Sequence, residues 1–328
     1  MPNVTSVAAQ PIKSSAWNRI SIVVGLVVVA IAGAILYRLL QDIEPARILQ
    51  ALREKSSLSI LIAAGCVGVG YFTLTAYDFF ALRAIGKNHV PYRIAALASF
   101  TSYTIGHNLG ATVFTAGVIR YRVYSPYNFS VLDIAKMAFI TGLTFWLGNT
   151  FVLGAGMAYD PGAASAVNQL PLWINRLIGL AGLIVIIGYL VWLLPRARVI
   201  GRSNWKVTLP NAKLTLVQIG IGVLDLACSA LAMYVLLPAE PAIGFVTLLV
   251  VFVTALLLGF LSHAPGSLGV IEAAMLIALP QFQKEELLAS LLIFRFIYFI
   301  LPLCCAVLLL GLRELWFNTQ ARRKRNSV

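Results

Sequence analysis

Hydrophobic residues along this chain form long uninterrupted blocks, separated by polar segments. They do not alternate with polar residues at the 3.6-residue or 2-residue period of an amphipathic helix or strand. Several blocks reach about 20 residues, the length that an α-helix needs to cross the hydrocarbon core of a bilayer. We predict membrane-spanning helices over residues 20–40, 58–84, 132–159, 172–194, 214–237 and 287–312. The pattern therefore predicts an all-α fold, a polytopic membrane helix bundle of about 6–8 spans.

Two apolar segments are interrupted by polar and glycine-rich residues. The first, residues 99–124, reads SFTSYTIGHNLGATVFTAGVIRYRVY, and the second, residues 262–272, reads SHAPGSLGVIE. Broken helices survive in a bilayer only where protein or a watery cavity covers the freed backbone groups. Two interrupted segments in corresponding halves of a chain also indicate the binding site of a transporter. We therefore expect one or two re-entrant broken-helix segments that form the functional site.

The basic residues predict which loops face the cytoplasm. Lysine and arginine crowd into the loop at 195–213 and the C-terminal tail, and none occurs between Lys213 and Lys284. The positive-inside rule then puts both basic regions, residues 120–127 and the N-terminus in the cytoplasm. Basic flanks on both sides of 94–117 predict a hairpin that enters and leaves on that side. Residues 242–279 form either two crossings, giving eight with one hairpin, or a second hairpin, giving six with two.

The pattern also predicts the domain organisation. Residues 1–19 are polar and are expected to be a disordered cytoplasmic N-terminus. Residues 20–312 form a single transmembrane domain, and residues 313–328 form a basic cytoplasmic tail. Residues 41–57 mix charged and apolar side chains, which favours a short amphipathic helix on the membrane surface.

Composition agrees with a membrane protein and narrows the function. Of 328 residues, 60% are hydrophobic and 11% charged, and the net charge of +13 is explained by the basic loops without a nucleic-acid partner. The four cysteines and three histidines are not spaced as metal ligands. Signatures such as H-E-x-x-H, G-x-S-x-G and the P-loop are missing from the sequence. We therefore predict no metal, no cofactor and no catalytic residue.

Ionisable side chains within the predicted spans are candidates for function. A charge at the centre of a spanning helix costs roughly 2.5–3.5 kcal/mol on insertion scales, so such residues usually face a functional interior. The alternative is that they pair with one another and hold the bundle together. The candidates are Asp78, Arg120, Asp225, Glu272 and Arg295.

The residues at the two breaks suit a lipid phosphate. Guanidinium groups bind phosphate oxygens in a bidentate manner, and tyrosines favour the headgroup level. At the second break, Ser267 is expected to cap the following helix, whose first free amides would attract an anion. Glu272 would then tune that site or pair with an arginine. The predicted substrate-binding residues are Arg120, Arg122, Tyr121, Tyr124, Asn108, Ser267, Glu272 and Asp78.

The order of GHNLG, TAGVIRYRVYSPYNFS and the late HAPGSLGVIE resembles the membrane domain of the lysylphosphatidylglycerol synthetase/flippase family. The resemblance covers roughly residues 15–315. It implies re-entrant helices around a lipid-headgroup cavity, with Arg120, Arg122 and Glu272 in the lining segments and Asp78 as a companion. The chain ends shortly after its last span and lacks the soluble synthetase domain of bifunctional members, so it is not expected to aminoacylate lipid.

The leading hypothesis is a lipid translocator of the bacterial inner membrane that moves or binds a phospholipid or a lipid-linked headgroup. One alternative is a membrane-embedded enzyme, or enzyme partner, that acts on a lipid headgroup. Another is a scaffold that binds anionic lipid. The expected partners are a lipid substrate and the membrane, with a separately encoded lipid-modifying enzyme and a second copy of the chain left open.

Overall fold

A computed structural model describes residues 45–110, 112–194, 198–202 and 205–326 of the chain, without the side chains of residues 314 and 316–326. The predicted N-terminal tail at 1–19 and the predicted first span at 20–40 lie outside the described residues. The described part is a helical bundle, as the hydrophobic pattern predicts.

The α-helices in chain order are α1 (Pro45–Glu54), α2 (Ser57–Ala84), α3 (Tyr92–Leu109), α4 (Thr112–Tyr124), α5 (Val131–Tyr159), α6 (Pro161–Asn168), α7 (Leu172–Leu193), α8 (Ala212–Leu236), α9 (Phe245–Leu261), α10 (Val270–Ala278), α11 (Lys284–Arg295) and α12 (Leu301–Asn326). Short 3₁₀ turns occupy Ser125–Tyr127 and Pro265–Ser267, and a π-helical turn, Phe296–Ile300, joins α11 to α12. Strands β1 (Val199–Ile200) and β2 (Val207–Thr208) form a small antiparallel hairpin.

Five helices of the described residues are long and apolar enough to cross a membrane. They are α2, α5, α7, α8 and the continuous helix Lys284–Arg313, which joins α11, the π turn and the start of α12. Local sequence sets where they begin. Ser56 caps α2, Asn211 caps α8, and Ser130 and Asp133 form a capping box at the start of α5.

The first predicted break divides a helical hairpin. Helix α3 ends at Leu109 and helix α4 begins at Thr112, and the two pack against each other. Gly110 has a φ of 75°, a left-handed value that glycine adopts without steric cost. The glycine-rich break in the sequence therefore corresponds to a real chain reversal between 18-residue and 13-residue helices.

The second break also forms a hairpin, between α9 and α10, which pack against each other. Helix α10 has 9 residues. At a rise of about 1.5 Å per residue it spans about 14 Å, roughly half of the hydrocarbon core. Of the two sequence-based options for residues 242–279, these lengths favour the hairpin. With the predicted first span, that arrangement has six crossings and two hairpins.

Helices α2, α5 and α8 form a closely packed scaffold behind the two hairpins. A β-carbon added to Gly148 on α5 would lie 2.8 Å from the α-carbon of Gly222 on α8, so the two backbones are in contact. Gly70 on α2 likewise faces α8, next to Asp225 and Ser229. These glycines replace side chains with direct helix contact, the usual way of packing helices in a bilayer.

Long-range contacts divide the loops between two ends of the bundle. At one end, Val207 of the β-hairpin shares an apolar cluster with Leu82, Tyr124 and Phe129, and Nη2 of Arg313 donates to the carbonyl of Val123 at 2.9 Å. The 3₁₀ turn after α4, the β-hairpin and the last helix thus meet at the end that we predict to be cytoplasmic.

The opposite end gathers the loops at 160–171 and 238–241, which contain no lysine or arginine and are therefore predicted to face outside. The Thr247 hydroxyl donates to Oδ2 of Asp160 at 2.7 Å, which joins the start of α9 to the α5–α6 turn. Lys55 donates to the carbonyl of Leu236 at 2.7 Å, so the amphipathic helix α1 lies beside the end of α8. Because the first hairpin begins at one end and the second at the other, the two hairpins enter the bundle in opposite senses, as inverted repeats do.

Candidate functional site

The two breaks meet inside the bundle. A β-carbon added to Gly110 at the first break would lie 2.8 Å from the carbonyl oxygen of His263 and 3.5 Å from the nitrogen of Pro265 at the second. Because only a glycine fits that contact, the hairpin tips pack backbone to backbone. The freed peptide groups of each break are thus covered by the other hairpin, as a bilayer requires.

A cavity of about 70 Å³ lies beside this contact. The first hairpin contributes Tyr103, His107, Gly110 and Thr112 to its walls, and the second contributes Gly259, His263, Ala264 and Ser267 among others. The scaffold side provides Asn149 and Asp225, and the π turn provides Tyr298 and Phe299. The cavity therefore touches both breaks and the fixed scaffold at once.

A buried ion pair ties the first hairpin to the scaffold. Nε of Arg120 lies 3.0 Å from both carboxylate oxygens of Asp78, and Nη2 lies 2.7 Å from Oδ1. The Tyr124 hydroxyl donates to Oδ2 of Asp78 at 2.9 Å. Asp78 is fully buried and Arg120 is 3% exposed. The guanidinium also lies 4.9 Å from the ring centre of Tyr103, which links the pair to the cavity wall.

A second ion pair holds the second break. Glu272 on α10 accepts from Nε and Nη2 of Arg295 on α11, with the Nε bond at 2.8 Å. The other carboxylate oxygen accepts from the backbone nitrogen of Gly269 at 2.8 Å, and Nη1 of Arg295 donates to the carbonyl of Gly266 at 2.9 Å. The Glu272 carboxylate therefore caps the N-terminus of α10, and Arg295 holds the turn that precedes this helix.

The π turn receives hydrogen bonds from two other helices. A π turn shifts the backbone pairing within a helix, and such turns occur frequently at functional sites. Nδ2 of Asn108 donates to the carbonyl of Phe299 at 3.2 Å, and the Tyr71 hydroxyl donates to the carbonyl of Tyr298 at 2.9 Å. Asn108 thereby connects the first break to the helix that carries Arg295.

Each membrane-depth charge singled out from the sequence lies inside the bundle, and four of the five pair with one another. Arg120 pairs with Asp78, and Glu272 pairs with Arg295, as the alternative reading of these charges predicts. Asp225 differs, because it lies in the cavity wall and no described residue forms an ion pair with it.

The remaining predicted substrate-binding residues have different environments. Tyr124 is buried behind the first ion pair, whereas Tyr121 and Arg122 are exposed on α4. Asn108 is bound to backbone at the first break, and Ser267 lines the cavity. Of these residues, Ser267 lines the cavity, Asn108 and Glu272 lie at the two breaks, and Arg120 reaches the cavity wall through the ring of Tyr103.

The prediction that Ser267 caps the following helix is wrong. Gly269 occupies the N-cap position of α10 and Ser267 belongs to the preceding 3₁₀ turn. Gly266 and Ser267 both have left-handed φ values, 56° and 54°, which turn the chain before the helix begins. The carboxylate of Glu272 accepts from the Gly269 amide instead, so the chain's own acid occupies the anion-attracting end of α10.

Sequence reasoning missed the aromatic and amide side chains of the cavity wall. Tyr103, Tyr298, Phe299 and Asn149 lie in the cavity, but each reads as an ordinary residue of a membrane helix. Tyr103 offered one signal, since it lies one helical turn before His107 and therefore on the same face of α3. The others required knowledge of which helices pack together.

The chain is similar to two bacterial proteins over most of its length. It is 30% identical over 259 residues to a Synechocystis protein named "Uncharacterized protein slr0712", covering 79% of this chain and 80% of the relative. It is 28% identical over 286 residues to inner membrane protein YbhN of Escherichia coli, covering 84% and 85% of the two chains. No protein-family model matches the chain. With its five long apolar helices, the protein is a multi-pass membrane protein, and it belongs to the family of the Synechocystis protein slr0712.

Proposed function

We propose that this protein is a lipid translocator of the bacterial inner membrane, moving a phospholipid or lipid-linked headgroup between leaflets. On this proposal it is a relative of the membrane domain of lysylphosphatidylglycerol synthetase/flippase proteins. Its termini, the β-hairpin and the turn after α4 face the cytoplasm. The observation that carries the proposal is the meeting of two interrupted hairpins of opposite sense at one internal cavity.

The size of the cavity supports a mechanism in which the two hairpins move apart. Pockets that hold a small-molecule ligand usually measure about 300–1,000 Å³. At about 70 Å³, this cavity has room for water but not for a lipid headgroup. The described arrangement is therefore closed, and a headgroup passes only after the hairpin tips separate. The scaffold of α2, α5 and α8 stays in place, since the backbones of α5 and α8 are in direct contact and Gly70 of α2 packs against side chains of α8.

In each of the two ion pairs, a phosphate can take the place of the carboxylate that binds the arginine. Arg120 and Arg295 are each bound to a carboxylate in the closed arrangement. A phosphate offers the same bidentate geometry to a guanidinium as a carboxylate does. On our proposal the headgroup replaces Asp78 or Glu272 as the partner of an arginine, so that the arginine keeps an anionic partner when the pair opens.

The proposal predicts that purified protein in liposomes accelerates movement of a labelled phospholipid between leaflets. The readout is the fraction of a fluorescent phospholipid that an added reductant can reach, followed over time. Liposomes without protein and liposomes with an unrelated helical membrane protein at equal density are the controls. Failure of folded protein to accelerate any of several phospholipids would contradict the proposal. A covalently altered lipid would favour a membrane-embedded enzyme.

A further inference from the structure

Asp225 is a carboxylate at the centre of the bundle without a compensating charge. It lies near the middle of α8, a helix of 25 residues, and is 8% exposed. No described lysine or arginine forms an ion pair with it, and no described group donates a hydrogen bond to it. Asp78 and Glu272, by contrast, each hold an arginine. The exception is notable because an isolated ionised carboxylate is among the most expensive groups to bury.

The packing around Asp225 holds the carboxyl group at the cavity. A β-carbon added to Gly70 of α2 would lie 3.4 Å from Oδ1 of Asp225, so α2 closes one side of the group. One turn earlier on α8, Gly222 contacts Gly148 of α5. The other side of Asp225 faces the cavity that both breaks share. Asp225 is therefore attached to the rigid scaffold and directed toward the part of the protein that our proposal requires to move.

The titratable groups around Asp225 are tyrosines and a cysteine packed beside it, together with a tyrosine and two histidines in the cavity wall. Tyr71 and Tyr77 on α2, Tyr298 on the π turn and Cys228 on α8 itself are close enough to interact with it. The cavity wall adds Tyr103, His107 and His263, while the described wall residues of α5 and α9 are not titratable. The wall thus holds one acid and no described lysine or arginine.

We propose that Asp225 is a proton-binding site, which carries a proton while the cavity is closed and loses it to water when the hairpin tips separate. In the closed cavity the neutral carboxyl avoids the cost of a buried bare charge. In an open, hydrated cavity the ionised form is solvated. Since the closed arrangement binds the proton more tightly, linkage requires that protonation favour closure. Proton occupancy in the closed cavity does not depend on which molecule is transported, whereas release of the proton rests on the hairpin separation of the proposed function.

Infrared spectroscopy tests proton occupancy, because the carbonyl band of a protonated carboxyl is resolved from the bands of a carboxylate. The sample is the full chain in an ester-free detergent, since lipid esters absorb in the same region. The wild-type spectrum minus that of Asp225→Asn is expected to contain a protonated-carboxyl band at pH 7. An ordinary aspartate, with a pKa of about 3.9, is protonated in only about one molecule per thousand at that pH.

The matched control is Glu240→Gln, which removes an exposed acid in the loop between α8 and α9 and should give a carboxylate difference only. If Asp225→Asn does not fold, wild-type protein labelled with ¹³C at its five aspartate side chains shows whether any aspartate is protonated at pH 7, and the absence of such a band would overturn the proposal. A carboxylate signal from Asp225 at pH 7 would overturn the proposal and would favour a metal cation at this position instead.

A cysteine reporter tests the link between the proton and closure. Leu257→Cys on the cavity wall, in a chain without the four native cysteines, is treated with a water-soluble thiol reagent. Comparing the Asp225 and Asp225→Asn backgrounds at each pH cancels the titration of the thiol. We expect modification in the Asp225→Asn background to be slower by about 5-fold or more at high pH and equal to wild type at low pH. A ratio that does not change with pH would overturn the coupling.

Discussion

Replacing Arg120 with alanine is expected to lower stability by about 3–5 kcal/mol, since it leaves the Asp78 carboxylate buried and without its cation. Asp78 is fully buried and receives three of its four hydrogen bonds from Arg120, the fourth coming from Tyr124. Unfolding in detergent, followed by circular dichroism or a thiol-reactive dye, measures the loss. The closed structure thus predicts a folding defect, in agreement with the alternative that these charges pair with one another and hold the bundle together.

A double variant separates the two roles of Arg120. In Asp78→Asn with Arg120→Met both charges are removed, so most of the stability should return. Lipid movement should not return, because methionine offers a phosphate no donors. Arg120→Lys keeps the charge without the planar fork and should retain only part of the activity. Wild-type lipid movement by the stable double variant would show that this arginine only holds the bundle.

Replacing Glu272 with glutamine is expected to cost about 1.5–3 kcal/mol, the range for hydrogen bonds that involve a charged group. Glutamine keeps the shape and can still accept from the Gly269 amide, but it leaves Arg295 without a countercharge. If the headgroup displaces Glu272 from Arg295, the variant should also bind phosphate at this arginine without competition. The closed arrangement would then be less favoured relative to the open one. The rate of lipid movement would therefore differ from that of wild type by more than the loss of stability explains.

Asp133→Asn provides a matched control for Glu272→Gln. Asp133 occupies the same third position of its helix, and its carboxylate likewise accepts from the amide of the N-cap residue. It differs in lying at the surface, where its ion pair with Lys87 has a 3.4 Å separation and both side chains are about a fifth exposed. Surface pairs contribute at most about 1 kcal/mol. A loss at Asp133 equal to that at Glu272 would contradict the assigned role of the internal pair.

The helical class, five of the predicted spans and both breaks could be predicted from the sequence, because each depends on local composition. Long apolar blocks define the spans, and Gly110 and Gly266 mark reversals that need left-handed backbone. The alternatives left open for residues 242–279 could be narrowed only once the length of α10 was known.

The partners within the site depend on contacts distant in sequence, which is why the sequence did not predict them. Asp78 and Arg120 are 42 positions apart, and Glu272 and Arg295 are 23 apart. Nothing in local pattern distinguishes Asp225, which pairs with no described residue, from these paired charges. The position of Ser267 was predicted incorrectly because α10 begins only at Val270, after a turn in which Gly266, Ser267 and Gly269 all have left-handed φ values.

Linking the two breaks while following lipid movement tests the central claim, that the hairpin tips separate to let a headgroup pass. Thr112→Cys on the first hairpin and Ala264→Cys at the second break both line the cavity. In a chain without native cysteines, a short bifunctional methanethiosulfonate should join them in the closed arrangement. We predict that joined protein in liposomes no longer accelerates phospholipid movement, that a reducing agent restores it, and that each single variant is unaffected. Lipid movement at the unjoined rate by fully joined protein would contradict the account.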